Sequence, residues 1–133
     1  MFRKVKVKEN EYYVNVYENF NGFENTIVLI HGWGMEHYTF SQIYNEIEKR
    51  YNVICFDLIG FGESDMMKEA FSLDDYSKML DELLKFYDLK FNIKNLYLLG
   101  HSFGGRVIVK YLNNFDNEKI KVLKNIIRYI NIS

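Results

Sequence analysis

The chain has 133 residues, with 17 Lys+Arg against 18 Asp+Glu, one Cys and no Pro. That length suits a single domain with a real core, and the near-neutral charge removes the electrostatic case for a nucleic-acid partner. One Cys makes no internal bridge, no apolar run approaches the roughly 20 residues of a membrane span, and no apolar stretch follows Arg3, Lys4, Lys6 and Lys8 as in a secretory signal, so residues 1–133 are expected to be one soluble, cytoplasmic domain.

Residues 5–8 alternate Val and Lys, and residues 12–17 read Tyr-Tyr-Val-Asn-Val-Tyr beyond Glu9, Asn10 and Glu11. This period of two predicts a hairpin of half-exposed strands, with the basic start as a solvated strand face rather than a membrane-surface patch. Thr26–Ile30, Asn52–Leu58 and Asn95–Leu99 are short, continuously apolar runs, the pattern of parallel strands buried on both faces. Helices are predicted between and after them. Phe40, Ile43, Tyr44 and Ile47 follow helical spacing. Ser72 and Asp75 form a capping-box pair ahead of Leu73, Tyr76, Leu80, Leu83, Leu84 and Tyr87. A third helix should begin just after Ser102, with Val107, Ile108, Tyr111 and Leu112 on its apolar side. The alternation of strand and helix specifies an α/β fold: a mostly parallel sheet with helices on both faces, after an antiparallel start.

Chemistry in such sheets gathers where strands end and helices begin. Three strand ends carry unusual residues: His31-Gly32-Trp33-Gly34, Asp57-Leu58-Ile59-Gly60-Phe61-Gly62-Glu63-Ser64 and Gly100-His101-Ser102-Phe103-Gly104-Gly105. The last contains G-x-S-x-G, which between a strand and a helix makes a tight turn that pushes the Ser hydroxyl into the open. Side chains at Gly100 or Gly104 would collide with the neighbouring strand or helix. The Phe103 N–H would sit at a helix N-terminus, where an oxyanion is favoured. Rival motifs fail at particular residues. Gly100 and Gly105 have P-loop spacing, but Arg106-Val107 stands where Lys-Ser/Thr is required. A dinucleotide fingerprint starting at Gly60 would need Gly at Asp65, and three His with one Cys show no metal-ligand spacing. No cofactor and no metal are expected.

HGWG, DLIGFGESD and GHSFGG, in this order, resemble the amino-terminal half of the α/β-hydrolase family, above all its esterase, acyl-hydrolase and C–C-bond-hydrolase branch. The resemblance spans about residues 5–115. It implies that Ser102 is the nucleophile and that the backbone N–H groups of Trp33 and Phe103 form the oxyanion hole. It also implies that Asp57, Gly60, Gly62 and Ser64 belong to a non-catalytic turn shaping the site wall. Ile59 stands where the family often has Pro. A small-molecule acyl substrate follows from the resemblance, with specificity set largely by a cap inserted after the family's sixth strand.

The remaining candidates read as structural. His31 precedes the oxyanion donor and His101 precedes the nucleophile, so both are loop-packing residues. His37 falls in the loop leading to the first helix, and Cys55 in a buried strand is an inert small apolar residue. Trp33 either lines the pocket or braces its loop. The family's order is Ser, then Asp or Glu, then His, yet no His follows Ser102. Asp116 and Glu118 come too early to match the triad acid. A further buried strand is expected around residues 119–131, where Lys124 and Arg128 interrupt the apolar run. The chain is therefore expected to be an N-terminal hydrolase fragment, truncated after about the sixth strand and inactive or very weak alone. The alternatives are a binding module that lost its chemistry, and a half-enzyme completed by self-association or a partner chain covering the exposed sheet.

Overall fold

Five strands form one mixed sheet in the computed structural model, which describes residues 1–9 and 11–120. They are β1 (Phe2–Val7), β2 (Tyr12–Asn19), β3 (Asn25–Ile30), β4 (Asn52–Phe56) and β5 (Asn95–Gly100), in spatial order β1-β2-β4-β3-β5. The pairs β1–β2 and β2–β4 are antiparallel, whereas β3 runs parallel to both β4 and β5. A 3₁₀ turn at His37–Phe40 leads into α1 (Ser41–Ile47), α2 spans Leu73–Phe91 and α3 spans Phe103–Asn114. No helix among the described residues is long and apolar enough to cross a membrane.

Successive side chains on a strand point to opposite faces, and the parallel register lines them up across the sheet. Val28 sits beside Ile54 and Leu98, and Leu29 beside Cys55 and Leu99. Val28, Ile54 and Leu98 face α2 and α3, packing against Tyr76, Leu80, Leu83, Val107, Ile108 and Tyr111. Leu29, Val53 and Cys55 face the other way, against Phe40 and Tyr44. Helices therefore cover both faces, as the strand–helix alternation implies.

Four details differ from the sequence reading, each for a local reason. The strand expected to reach Leu58 stops at Phe56, because the Leu58 N–H donates to His31 Nε2 at 2.9 Å rather than to a neighbouring strand. β2 is not half-exposed: it lies inside the sheet, paired on both sides, and Val14, Asn15 and Val16 are all buried. Ile43 remains 44% exposed, because α1 has only seven residues and Phe40 and Tyr44 already fill its contact with the sheet. β5 buries one face only, with Tyr97 and Leu99 half-covered. Together with Ile27, Ile47 and Tyr51 they line an apolar depression of ≈ 280 Å³. Beside β5 the Leu96 N–H donates to the Lys119 carbonyl at 2.7 Å, and Ile120 bridges Leu96 in parallel. The rest of the strand expected over 119–131 lies outside the described residues.

The start of α2 takes the expected capping box. Ser72 Oγ accepts from the Asp75 N–H at 3.1 Å, and Asp75 Oδ2 accepts from the Ser72 N–H at 2.8 Å. Two otherwise orphaned amides are thereby satisfied at the head of the helix that supplies six buried residues to the larger core. Ser72→Ala should cost about 1 kcal/mol of folding stability by chemical denaturation, while Ser72→Gly should cost only a few tenths. No loss in either variant would show that the cap contributes nothing.

Candidate active site

From β3 the chain crosses through α1 to β4 on one side, while β5 lies on the other side of β3. Crossovers in opposite directions place their helices on opposite faces, so the segments leaving β3 and β5 diverge and open a crevice beyond the strand ends. His31–Gly34 leaves β3 at this point and His101–Gly105 leaves β5.

His101 and Ser102 join β5 to α3, and Ser102, immediately before the helix, has φ 52° and ψ −112°. A non-glycine residue with positive φ carries strain of about 1–3 kcal/mol, which persists only where the surroundings hold it. The surroundings do hold it. A β-carbon on Gly104 would run into the carbonyls of Ile30 and His31, and one on Gly100 would run into the backbone of Gly104 and Gly105. The first turn of α3 is thus seated directly on the ends of β3 and β5. The His101 N–H donates to the Ile30 carbonyl at 2.9 Å, and the His101 carbonyl accepts from the Gly104 N–H at 2.9 Å. The Gly105 N–H donates to the Ser102 carbonyl at 3.0 Å. The Ser102 side chain makes no capping hydrogen bond. Phe103 opens α3, so its N–H has no carbonyl one turn back in the helix and lies at the positive end of the helix dipole.

The segment after β3 turns back toward the same point. The Gly32 carbonyl accepts from the Met35 N–H at 3.1 Å, and Gly34 has φ +77° with open space around it. Gly32 leaves room for the His101 ring, whose Nδ1 would lie only 3.1 Å from a β-carbon there. That Nδ1 is buried with no hydrogen-bond partner among the described residues. The Trp33 ring meets Phe103 edge-on at 5.2 Å and Phe61 at 4.7 Å, yet remains 58% exposed. Trp33 therefore braces the loop against two rings while more than half of its surface stays in solvent.

Neither His31 nor His37 is free to serve Ser102. In His31, Nδ1 meets the Gly32 carbonyl at 2.6 Å while Nε2 accepts from the Leu58 N–H at 2.9 Å, which fixes a neutral ring protonated on Nδ1. Burial holds its pKa below the ordinary histidine value. His37 is turned to Asp57, which follows β4, two strand positions from β5 and so about 10 Å along the sheet. Asp116 and Glu118 follow α3 beside the start of β5, where Lys119 meets Leu96, roughly 15–20 Å from the strand end that carries Ser102. The Cys55 thiol is buried within β4, where burial pushes its pKa up and keeps it protonated. Among the described residues no group of three or more His, Cys, Asp or Glu is placed to hold a metal ion.

Asp57 organises the wall of the site. Its Oδ1 accepts from the His37 N–H at 2.6 Å and from His37 Nδ1 at 2.8 Å, and its Oδ2 from Asn15 Nδ2 and the Glu63 N–H, each at 3.0 Å. Ser64 Oγ donates to the Asp57 carbonyl at 2.5 Å and accepts from the Asn15 N–H at 2.8 Å. Gly60 (φ +95°) and Gly62 (φ +53°) bend the turn around the carboxylate, and a β-carbon on Gly62 would strike it. Asn15, His37 and Phe61 are the residues here that motif reading does not single out as site residues. A polar Asn within a run of strand-forming residues is the one local signal of the three. Burial by itself would raise the Asp57 pKa, but the four donors outweigh it and hold the carboxyl below its ordinary value. Stabilisation by this group is therefore full above about pH 4 and is lost as pH falls through its lowered pKa. Asn15→Ala removes one donor and should cost about 1–3 kcal/mol at neutral pH. It should also move the acid loss of stability to higher pH in denaturation series. An unchanged acid limb would show that Asn15 does not hold the charge.

Comparison with known proteins agrees with this geometry. The family model described as the alpha/beta hydrolase fold matches residues 25–123. The chain is 29% identical over 116 residues to an AB hydrolase superfamily protein of Bacillus subtilis, covering 86% of this chain and 42% of that protein. It is 34% identical over 94 residues to protein phosphatase methylesterase 1 of Candida albicans, covering 70% of this chain and 26% of that one. Among solved structures, an esterase from Exiguobacterium antarcticum superposes with a TM-score of 0.71 at 26% identity, over 90% of this chain and 42% of that one. A bromoperoxidase from Bacillus anthracis gives 0.73 at 26% identity with the same coverages. The chain thus spans about two fifths or less of these relatives, and within that span it belongs to the α/β-hydrolase family.

Proposed function

We propose that Ser102 is the nucleophile of a hydrolase acting on small ester, thioester, amide or related acyl substrates. The observation that carries this reading is the Ser102 backbone, held at φ 52° between β5 and α3 by glycines that leave no space for a side chain. In the proposed reaction Ser102 Oγ attacks the substrate carbonyl and its proton passes to a general base. The carbonyl oxygen becomes an oxyanion that accepts hydrogen bonds from the Trp33 and Phe103 N–H groups. The tetrahedral species collapses, the leaving group departs with a proton, and water then releases the acyl group from Ser102.

A serine hydroxyl needs that base, and the three histidines of these 133 residues are His31, His37 and His101. His31 and His37 are committed as described, and His101 packs under Gly32. The base and its orienting acid are therefore assigned to a segment outside these residues. A second reading, in which a partner chain brings them, is favoured by the apolar depression along β5, lined by Tyr97 and Leu99, where a further element could pack.

The purified 133-residue chain should hydrolyse a small activated ester only weakly, at a rate that Ser102→Ala changes little. Oxyanion donors alone leave roughly 10³–10⁴-fold catalysis over water when a triad member is missing, against about 10⁶-fold or more for a complete site. Fast turnover abolished by Ser102→Ala would show that a base exists within these residues. Fast turnover unaffected by the substitution would remove Ser102 as the nucleophile. Sequencing the gene beyond codon 133 is the companion test, and the absence of a His-containing hydrolase segment in any frame would leave the partner-chain reading.

A further inference from the structure

We infer that the site accepts a substrate whose carbonyl carries an uncharged aromatic group, seated against the rings of Trp33, Phe61 and Phe103. This rests on the reading of Ser102 as nucleophile and of the Trp33 and Phe103 amides as oxyanion donors, and it adds what those two residues present beyond their backbone. A carbonyl oxygen about 2.9 Å from both amides brings the carbonyl's substituents to within a few ångströms of the side chains on the same two residues. Those side chains are not separate. Trp33 and Phe103 meet edge-on at 5.2 Å, and Phe61 meets Trp33 at 4.7 Å and His31 at 5.7 Å. Tyr76 supports Phe103 from behind at 5.5 Å.

Apart from the indole N–H of the exposed Trp33, the polar atoms of this cluster are already committed. The Tyr76 hydroxyl donates to the Ile59 carbonyl at 2.8 Å, and both nitrogens of His31 are bound to backbone groups. A charged or hydroxylated substituent placed there would lose water and gain at most the single Trp33 indole donor, and each polar group left without a partner costs about 1–3 kcal/mol even by protein-based scales. An aromatic group loses nothing of the kind and gains edge-to-face contacts. Trp33 lies nearly perpendicular to both neighbouring rings and keeps more than half its surface open, so a ligand ring has a held but uncovered partner.

The test uses the full chain and its single tryptophan, since Trp33 is the only Trp in the sequence and its emission reports on this place alone. Three boronic acids are titrated, each able to add to a serine oxygen: 2-phenylethyl-, butyl- and 2-carboxyethylboronic acid. The phenyl compound should shift Trp33 emission saturably and bind about fivefold to tenfold more tightly than the butyl compound, with the carboxylate weakest. Phe61→Leu keeps apolar volume but removes a ring, and should cut the phenyl preference to about twofold or less. Ser102→Ala should weaken the phenyl and butyl compounds by the same factor and leave their ratio intact. Equal binding of phenyl and butyl compounds, both weakened by Ser102→Ala, overturns the aromatic subsite and leaves the nucleophile standing. A phenyl preference with no loss in Ser102→Ala overturns the nucleophile instead. Tightest binding of the carboxylate, or no saturable response to the phenyl compound, overturns the inference outright. If Phe61→Leu does not fold, the ranking of the three compounds on the unmodified chain decides.

Discussion

The seat of α3 on the strand ends is the constraint from which the rest of the site follows. Gly104 lies so close to the Ile30 and His31 carbonyls that no β-carbon fits, and Gly100 lies equally close to Gly104 and Gly105. With the helix pressed down in this way, the two-residue connection His101–Ser102 must turn sharply, and Ser102 is the residue that takes positive φ. The same contact holds the head of α3 beside the end of β3. The Trp33 loop, which leaves β3 in the opposite direction, thus passes next to the first amide of the helix. Backbone strain of about 1–3 kcal/mol at Ser102 is sustained because it is shared across a packed interface.

A second buried arrangement fixes the other wall. The Asp57 carboxylate joins three segments far apart in sequence: β2 through Asn15, the 3₁₀ turn through His37, and its own turn through Glu63. His31 ties that turn to the Trp33 loop through the Leu58 amide. Two of the three histidines thus hold backbone in place, and the third packs beneath Gly32. Under the proposed reading, Ser102 and the amides beside it are served by a proton acceptor from elsewhere.

Much of this was legible in sequence because it depends on local rules. Period-two alternation marks the hairpin, the Ser72–Asp75 pair marks the start of α2, and the glycines of GHSFGG mark a turn that tolerates no side chain. What escaped depends on contacts between distant segments. Strand β4 ends early because a ring thirty residues or so upstream captures the Leu58 amide. Asn15 is buried because β2 is an interior strand, a matter of sheet order that no local pattern carries. Ile43 keeps helical spacing yet faces solvent, since a two-turn helix has only a narrow contact stripe. Phe61 reads as filler between two glycines and acquires its place only through the Trp33 ring.

The most direct measurement follows the backbone amides of Trp33 and Phe103 by two-dimensional ¹⁵N–¹H NMR while a small boronic acid is added to the ¹⁵N-labelled chain. Both amide protons should move downfield together, as hydrogen bonds form to an oxygen of the serine adduct, and neither should move so in Ser102→Ala. Shifts that leave Trp33 and Phe103 untouched, or that persist unchanged in Ser102→Ala, would contradict the assignment of Ser102 as a nucleophile facing an oxyanion hole.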